Sequence, residues 1–192
     1  MNLANKITVL RIVLTFVFMF FLFLEGFIFK VVAFVVFSLA AASDLIDGWI
    51  AKTRNQITDF GKIMDPIADK ILTLAAFLSF VELQLVPAWM VVVIIFRELI
   101  ITSLRLFALS KGKVLAAVRA GKHKTVSQVV SIFLILGFII LKEIFKNMCF
   151  WNELGENLYF ISIYVVMLVT VVLTLISGIS YLWKNRKLII KL

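Results

Sequence analysis

The chain has 192 residues, 63% hydrophobic and 16% charged, with a mean hydropathy of +1.11 and a net charge of +9. Soluble domains carry about 45–50% apolar and about 25% charged residues, so the composition excludes a water-soluble globule and points to one integral membrane domain over residues 1–192. A single cysteine, Cys149, and a single histidine, His123, rule out an internal disulfide and argue against a zinc centre, and the positive charge fits anionic lipid headgroups rather than nucleic acid.

A membrane span needs about 20 apolar residues, and six such runs are found, predicting an all-α bundle of six transmembrane helices. The first runs from about Thr8 to Phe29 and the second from about Val31 to Ile50, with a turn marked by Glu25–Gly26. No small-residue cleavage site closely follows the first run, so it reads as a retained span rather than a signal peptide. The third runs from about Ile67 to Leu85, and the fourth from about Pro87 to Leu109. Pro87 suits a helix start, where a missing N–H costs nothing. The fifth runs from about Thr125 to Leu141 and the sixth from about Leu158 to Trp183. Threading six spans puts sixteen Lys and Arg on the side of the termini, against Lys30, Lys142 and Lys146 on the other. By the positive-inside rule both termini are cytoplasmic. Trp89, Trp151 and Trp183 fall near span ends, where aromatic belts form.

Against this apolar background, residues 43–70 read SDLIDGWIAKTRNQITDFGKIMDPIADK, with five aspartates inside 26 residues. Asp44 and Asp47 are three apart and Asp65 and Asp69 four apart, so each pair shares a helix face. Gly61 joins the second face if that helix extends back far enough. Asp59 fits neither face and reads as a loop charge. Four carboxylates at a membrane border repel one another and lose water, so positive charge must compensate. Oxygen-only ligands suit Mg2+, Mn2+ or Ca2+, and four aspartates can bridge two ions. Two-metal carboxylate sites typically handle phosphate chemistry. Gly48 and Ala51 leave gaps through which a ligand reaches the backbone. A small divalent-cation carrier is the reading from a different class, since acids within spans mark ion pathways. The cytoplasmic-edge position of these acids speaks against it.

The pattern D44-x-x-D47-G48-x-x-A51-K52, followed by G61-x-x-x-D65-x-x-x-D69, resembles the signature of the CDP-alcohol phosphatidyltransferases. Seven of its eight fixed positions match. The eighth is usually Arg and is here Lys52, with Arg54 two residues on; Lys52 keeps the charge but not the bidentate geometry. N5-x-x-T8-x-x-R11 resembles the family's N-terminal juxtamembrane helix. R97-E98 and G121-K122-H123-K124-T125-x-x-Q128 resemble the branch that joins CDP-diacylglycerol to glycerol 3-phosphate. The resemblance implies a six-helix fold, a bacterial plasma membrane, membrane lipids as surroundings and a homodimer. It implies a two-ion Mg2+ or Mn2+ site on Asp44, Asp47, Asp65 and Asp69, with Asp69 as general base. Gly48, Ala51, Lys52, Gly61 and Asp65 would hold the CDP moiety. Serine, inositol phosphate, choline and phosphatidylglycerol remain alternative acceptors.

A phosphorylated acceptor needs cations of its own. Arg97, Ile101 and Arg105 follow at i, i+4 and i+8 on one face of the fourth span, and Arg119, Lys122 and Lys124 approach from the next loop. Arg105, Arg119, Lys122 and Lys124 are the candidate phosphate ligands, with Arg105 and Lys124 placed first. An Arg within an apolar run is costly unless paired or used, and Glu98 is a candidate partner, either along the helix for Arg105 or across helices.

Overall fold

The computed structural model describes the backbone of residues 3–54, 59–112, 120–148 and 152–189; the side chains of 3–8, 44–54, 59–69, 120–123, 147 and 187 lie outside the described residues. The described residues form six α-helices: α1 (Leu3–Phe23), α2 (Phe27–Arg54), α3 (Asp59–Glu82), α4 (Ala88–Ser110), α5 (Ala120–Asn147) and α6 (Glu153–Ile189). Each takes up one of the expected apolar runs, but α1 stops at Phe23 and α3 at Glu82, short of the expected ends at Phe29 and Leu85. By length and composition α5 and α6 pass as spans on their own, while Val9–Phe23 and Phe27–Ser43 are shorter apolar stretches.

The helix ends follow from local chemistry. Gly26 has φ +113°, a conformation costly for a residue with a Cβ, and the turn falls there. Phe27, Ile28 and Phe29 therefore belong to α2 rather than to the first span as expected. Lys30 Nζ donates to the Leu22 carbonyl at 2.6 Å, satisfying one of the open acceptors at the end of α1. Pro87 sits just outside α4 as its N-cap, with φ −60° and ψ 131°. Asn152 Oδ1 accepts from the Gly155 N–H at 2.8 Å and caps α6, whose first turn carries Glu153 and Glu156.

α1 packs on α2 and α3, α6 packs on α5 and α4, and α2 meets α5. The core is aromatic around α2, which lies between α1 and α5: Phe37 lies 5.4 Å from Phe18 and 5.3 Å from Phe133, centroid to centroid. Phe77, Phe80, Met90, Ile94, Ile135 and Ile163 complete it. The outer faces are apolar as well. Phe16, Phe20, Phe96, Leu99 and Ile179 are all exposed, as are Trp89 and Trp183 near helix ends. Helices apolar all round are suited to lipid rather than water. Buried hydroxyls bond back along their own helices, Thr15 to the Arg11 carbonyl and Ser79 to the Ala75 carbonyl, as a dry surrounding requires.

Candidate functional site

The backbone carries the four aspartates in unbroken helical register. Asp44 and Asp47, with Gly48, Ala51 and Lys52, lie in the last turns of α2; Gly61, Asp65 and Asp69 lie in the first turns of α3. α3 begins at Asp59, so the Gly61–Asp65–Asp69 face expected from spacing exists in the backbone, and Asp59 opens the helix. Four connecting residues separate the two helices, which limits the gap between Arg54 and Asp59 to about 18 Å. These side chains lie outside the described residues. Their donor set, four carboxylates on two consecutive helices, fits a hard divalent cation.

Described contacts show what surrounds this end of the bundle. Arg11 of α1 is 1% exposed and its Nε donates to Ser43 Oγ at 3.3 Å, immediately before Asp44. Counting charges treats Arg11 as one more residue on the side of the termini; the fold instead buries it beside the α2 segment that carries two aspartates. Lys70, immediately after Asp69, donates to Thr102 Oγ1 on α4. Lys124 of α5 is 6% exposed and pairs with Glu98 Oε1. Arg97 also approaches Glu98 Oε1, at 3.4 Å, and donates to Ser177 Oγ on α6 at 2.8 Å. Early α1 thus touches late α2, while early α3, early α5 and the later part of α6 converge on the middle turns of α4.

Two faces of α4 divide the work. The Arg97–Ile101–Arg105 stripe expected from spacing faces α6: Arg97 bonds Ser177, Ile101 packs with Tyr181, and the Arg105 guanidinium stands 5.8 Å from the Tyr181 ring centroid. Gly178 makes the close approach possible, since a Cβ there would stand 3.1 Å from Arg97 Cγ. The neighbouring Glu98–Thr102 stripe faces α3 and α5, where Lys70 and Lys124 converge. Glu98 therefore pairs across helices rather than with Arg105. Gln128, one turn beyond Lys124, is 5% exposed, and its amide nitrogen has no hydrogen-bond partner among the described residues.

Of the candidate acceptor cations, Lys124 is buried in this cluster and Arg105 is exposed against Tyr181. Arg119 lies outside the described residues, and Lys122 is on α5 with its side chain outside them, as is that of His123. Thr102 is absent from the sequence reading, Gln128 enters it only as the last position of the 121–128 motif, and Lys70 only as a counted charge. Charge counting places Lys70 with the other cations on the side of the termini, although its position directly after Asp69 is the available signal.

A family profile described as CDP-alcohol phosphatidyltransferase matches residues 1–176. A Bacillus subtilis (strain 168) protein named CDP-diacylglycerol--glycerol-3-phosphate 3-phosphatidyltransferase is 34% identical over 201 aligned positions, covering 96% of this chain and 95% of the relative. A Mycobacterium tuberculosis (strain H37Rv) protein named probable phosphatidylglycerophosphate synthase is 37% identical, covering 94% and 79%. A Pseudomonas fluorescens protein with the same name as the Bacillus relative is 32% identical, covering 97% and 93%.

Proposed function

This chain belongs to the CDP-alcohol phosphatidyltransferase family, and from that premise we propose that it transfers the phosphatidyl group of CDP-diacylglycerol to glycerol 3-phosphate, giving phosphatidylglycerol phosphate and CMP. The observation that carries the proposal is the register of Asp44, Asp47, Asp65 and Asp69 on consecutive helices, with the cations Lys70 and Lys124 at the same end of the bundle. Relatives named for this reaction, matched over nearly the whole chain, support the choice of acceptor.

Asp44, Asp47, Asp65 and Asp69 would hold two Mg2+ or Mn2+ ions, whose charge would offset the pyrophosphate when bound. Gly48, Ala51 and Gly61 leave room for the cytidine and phosphates, and Lys52 adds a point charge to them. Asp69 takes the proton from the acceptor hydroxyl. The freed oxygen attacks the β-phosphorus that carries the diacylglycerol, a new P–O bond forms, and the bond to the bridging oxygen breaks so that CMP leaves with the electron pair. No covalent enzyme intermediate is required. Lys124 meets the acceptor's phosphate, with Arg105, Arg119 and Lys122 as further cations for it. Burial strengthens this attraction, because charges interact more strongly away from water.

All six helices cross a bacterial plasma membrane, with both termini and the site cytoplasmic, and the protein works as a homodimer among membrane lipids. CMP release from CDP-diacylglycerol tests the chemistry. It should require both a divalent cation and glycerol 3-phosphate, and serine, inositol phosphate or phosphatidylglycerol should not replace the latter.

A further inference from the structure

Glu98 is a carboxylate placed where one is expensive. Its side chain is 13% exposed, between apolar helices. A buried charge is tolerated only when paired and hydrogen-bonded. It has two partners. Arg97, its neighbour on α4, donates to Ser177 at 2.8 Å and stands 3.4 Å from the Glu98 oxygen, and Lys124 of α5 pairs with that same oxygen. Arg97 thus shares its guanidinium between Glu98 and Ser177, and the carboxylate joins α4 to α5 through Lys124. Lysine is a point charge on a flexible four-carbon stem, and its rotamer freedom is large unless something fixes the ammonium. Here Glu98 fixes it, on the stripe of α4 that also meets Lys70 through Thr102. Among the described side chains, Glu98 is one carboxylate beside the three cations Lys70, Arg97 and Lys124, so pairing with it does not neutralise this part of the cluster.

We propose that Glu98 is a positioning residue for the acceptor: through its pair with Lys124 it holds the ammonium at the place where the acceptor's phosphate binds. This rests on the reading of Lys124 as a ligand of that phosphate. A role confined to tying α4 to α5 would affect stability and both substrates alike; a positioning role affects the acceptor alone.

The test is steady-state CMP release by the purified full-length protein in detergent, varying glycerol 3-phosphate and CDP-diacylglycerol separately. The proteins are the parent, Glu98→Gln, Glu98→Asp, Lys124→Gln and the double variant Glu98→Gln/Lys124→Gln. Expected is a rise in KM for glycerol 3-phosphate of about tenfold or more in each Gln variant, with KM for CDP-diacylglycerol changed by less than about twofold. Glu98→Asp recovers most of the loss, and the double variant is no worse than Lys124→Gln alone, because Glu98 acts through Lys124. Glu98→Asp keeps the charge, so it folds even where the amide variant does not and still reads the acceptor KM. Unchanged acceptor KM in Glu98→Gln beside a raised one in Lys124→Gln overturns the inference. So does an equal rise in both KM values with a lowered unfolding midpoint, or additive losses in the double variant. An unchanged acceptor KM in Lys124→Gln overturns the phosphate role of Lys124 itself, and absence of glycerol 3-phosphate-dependent CMP release from the parent overturns the proposed reaction.

Discussion

At the scale of single residues, five charged side chains inside this bundle meet side chains on other helices, and the Gln128 amide differs from them. Arg11, Lys70, Arg97, Glu98 and Lys124 each meet a side chain on a different helix. The Gln128 amide nitrogen is buried without such a partner among the described residues. A buried unsatisfied donor costs about 1–3 kcal/mol, whereas an apolar group of similar shape does not. Gln128→Leu is thus expected to leave the thermal unfolding midpoint in detergent unchanged or raise it. A clear drop would mean that the fold itself uses the amide. The aspartates behave differently. Asp69→Asn keeps the shape but cannot accept a proton, so it should cost about 10²-fold or more in kcat with little change in stability, read by CMP release beside the unfolding midpoint.

At the scale of elements, the contact between α4 and α6 depends on absence of a side chain. A Cβ at Gly178 would stand 3.1 Å from Arg97 Cγ, and Arg97 is held there by Ser177. Gly178→Leu forces the two helices apart or expels the guanidinium, at a cost of about 1–3 kcal/mol, measurable as a lower unfolding midpoint than that of the parent. Gly137, with open space around its Cβ position, serves as control: Gly137→Ala should be neutral or stabilising. The helices themselves are legible in the sequence, because runs of Phe, Val, Ile and Leu bounded by Glu25–Gly26 and Pro87 leave little choice. Their ends are less so. α2, α3, α5 and α6 all continue past the apolar runs into polar residues, since helical hydrogen bonding does not stop where hydropathy falls. Hydropathy puts Phe27, Ile28 and Phe29 on the wrong side of the first turn because it is continuous across it, while the backbone reverses at Gly26.

At the scale of the molecule, the proposed site draws on several helices rather than one. The spacing of the aspartates puts each pair on one helix face, and the backbone of α2 and α3 is helical at those positions. The cationic half is readable only in part. Lys124 stands out in the sequence, but the division of α4 into an α6-facing stripe and a stripe facing α3 and α5 depends on how the helices pack, which spacing alone does not contain. Sequence reading ranks Arg105 and Lys124 together, and the described contacts separate them, Arg105 against Tyr181 and Lys124 against Glu98. The proposed topology has its own test. In a Cys149→Ser background, Ser110→Cys and Glu82→Cys place single thiols at exposed positions near opposite ends of the bundle. A membrane-impermeant maleimide applied to intact cells should label the Glu82→Cys protein and spare the Ser110→Cys protein until the membrane is opened. The reverse pattern would put the aspartates on the outer face, away from a cytoplasmic nucleotide-linked lipid headgroup.

The most direct test of the central claim is CMP release by the purified protein supplied with CDP-diacylglycerol and Mg2+ or Mn2+, with and without glycerol 3-phosphate, beside Asp69→Asn. Release that needs glycerol 3-phosphate and the metal, and that falls by about 10²-fold or more in the variant, is the predicted result. Release with serine, inositol phosphate or phosphatidylglycerol instead would contradict the assigned acceptor, and no release with any of them from folded protein would contradict the transferase reading itself.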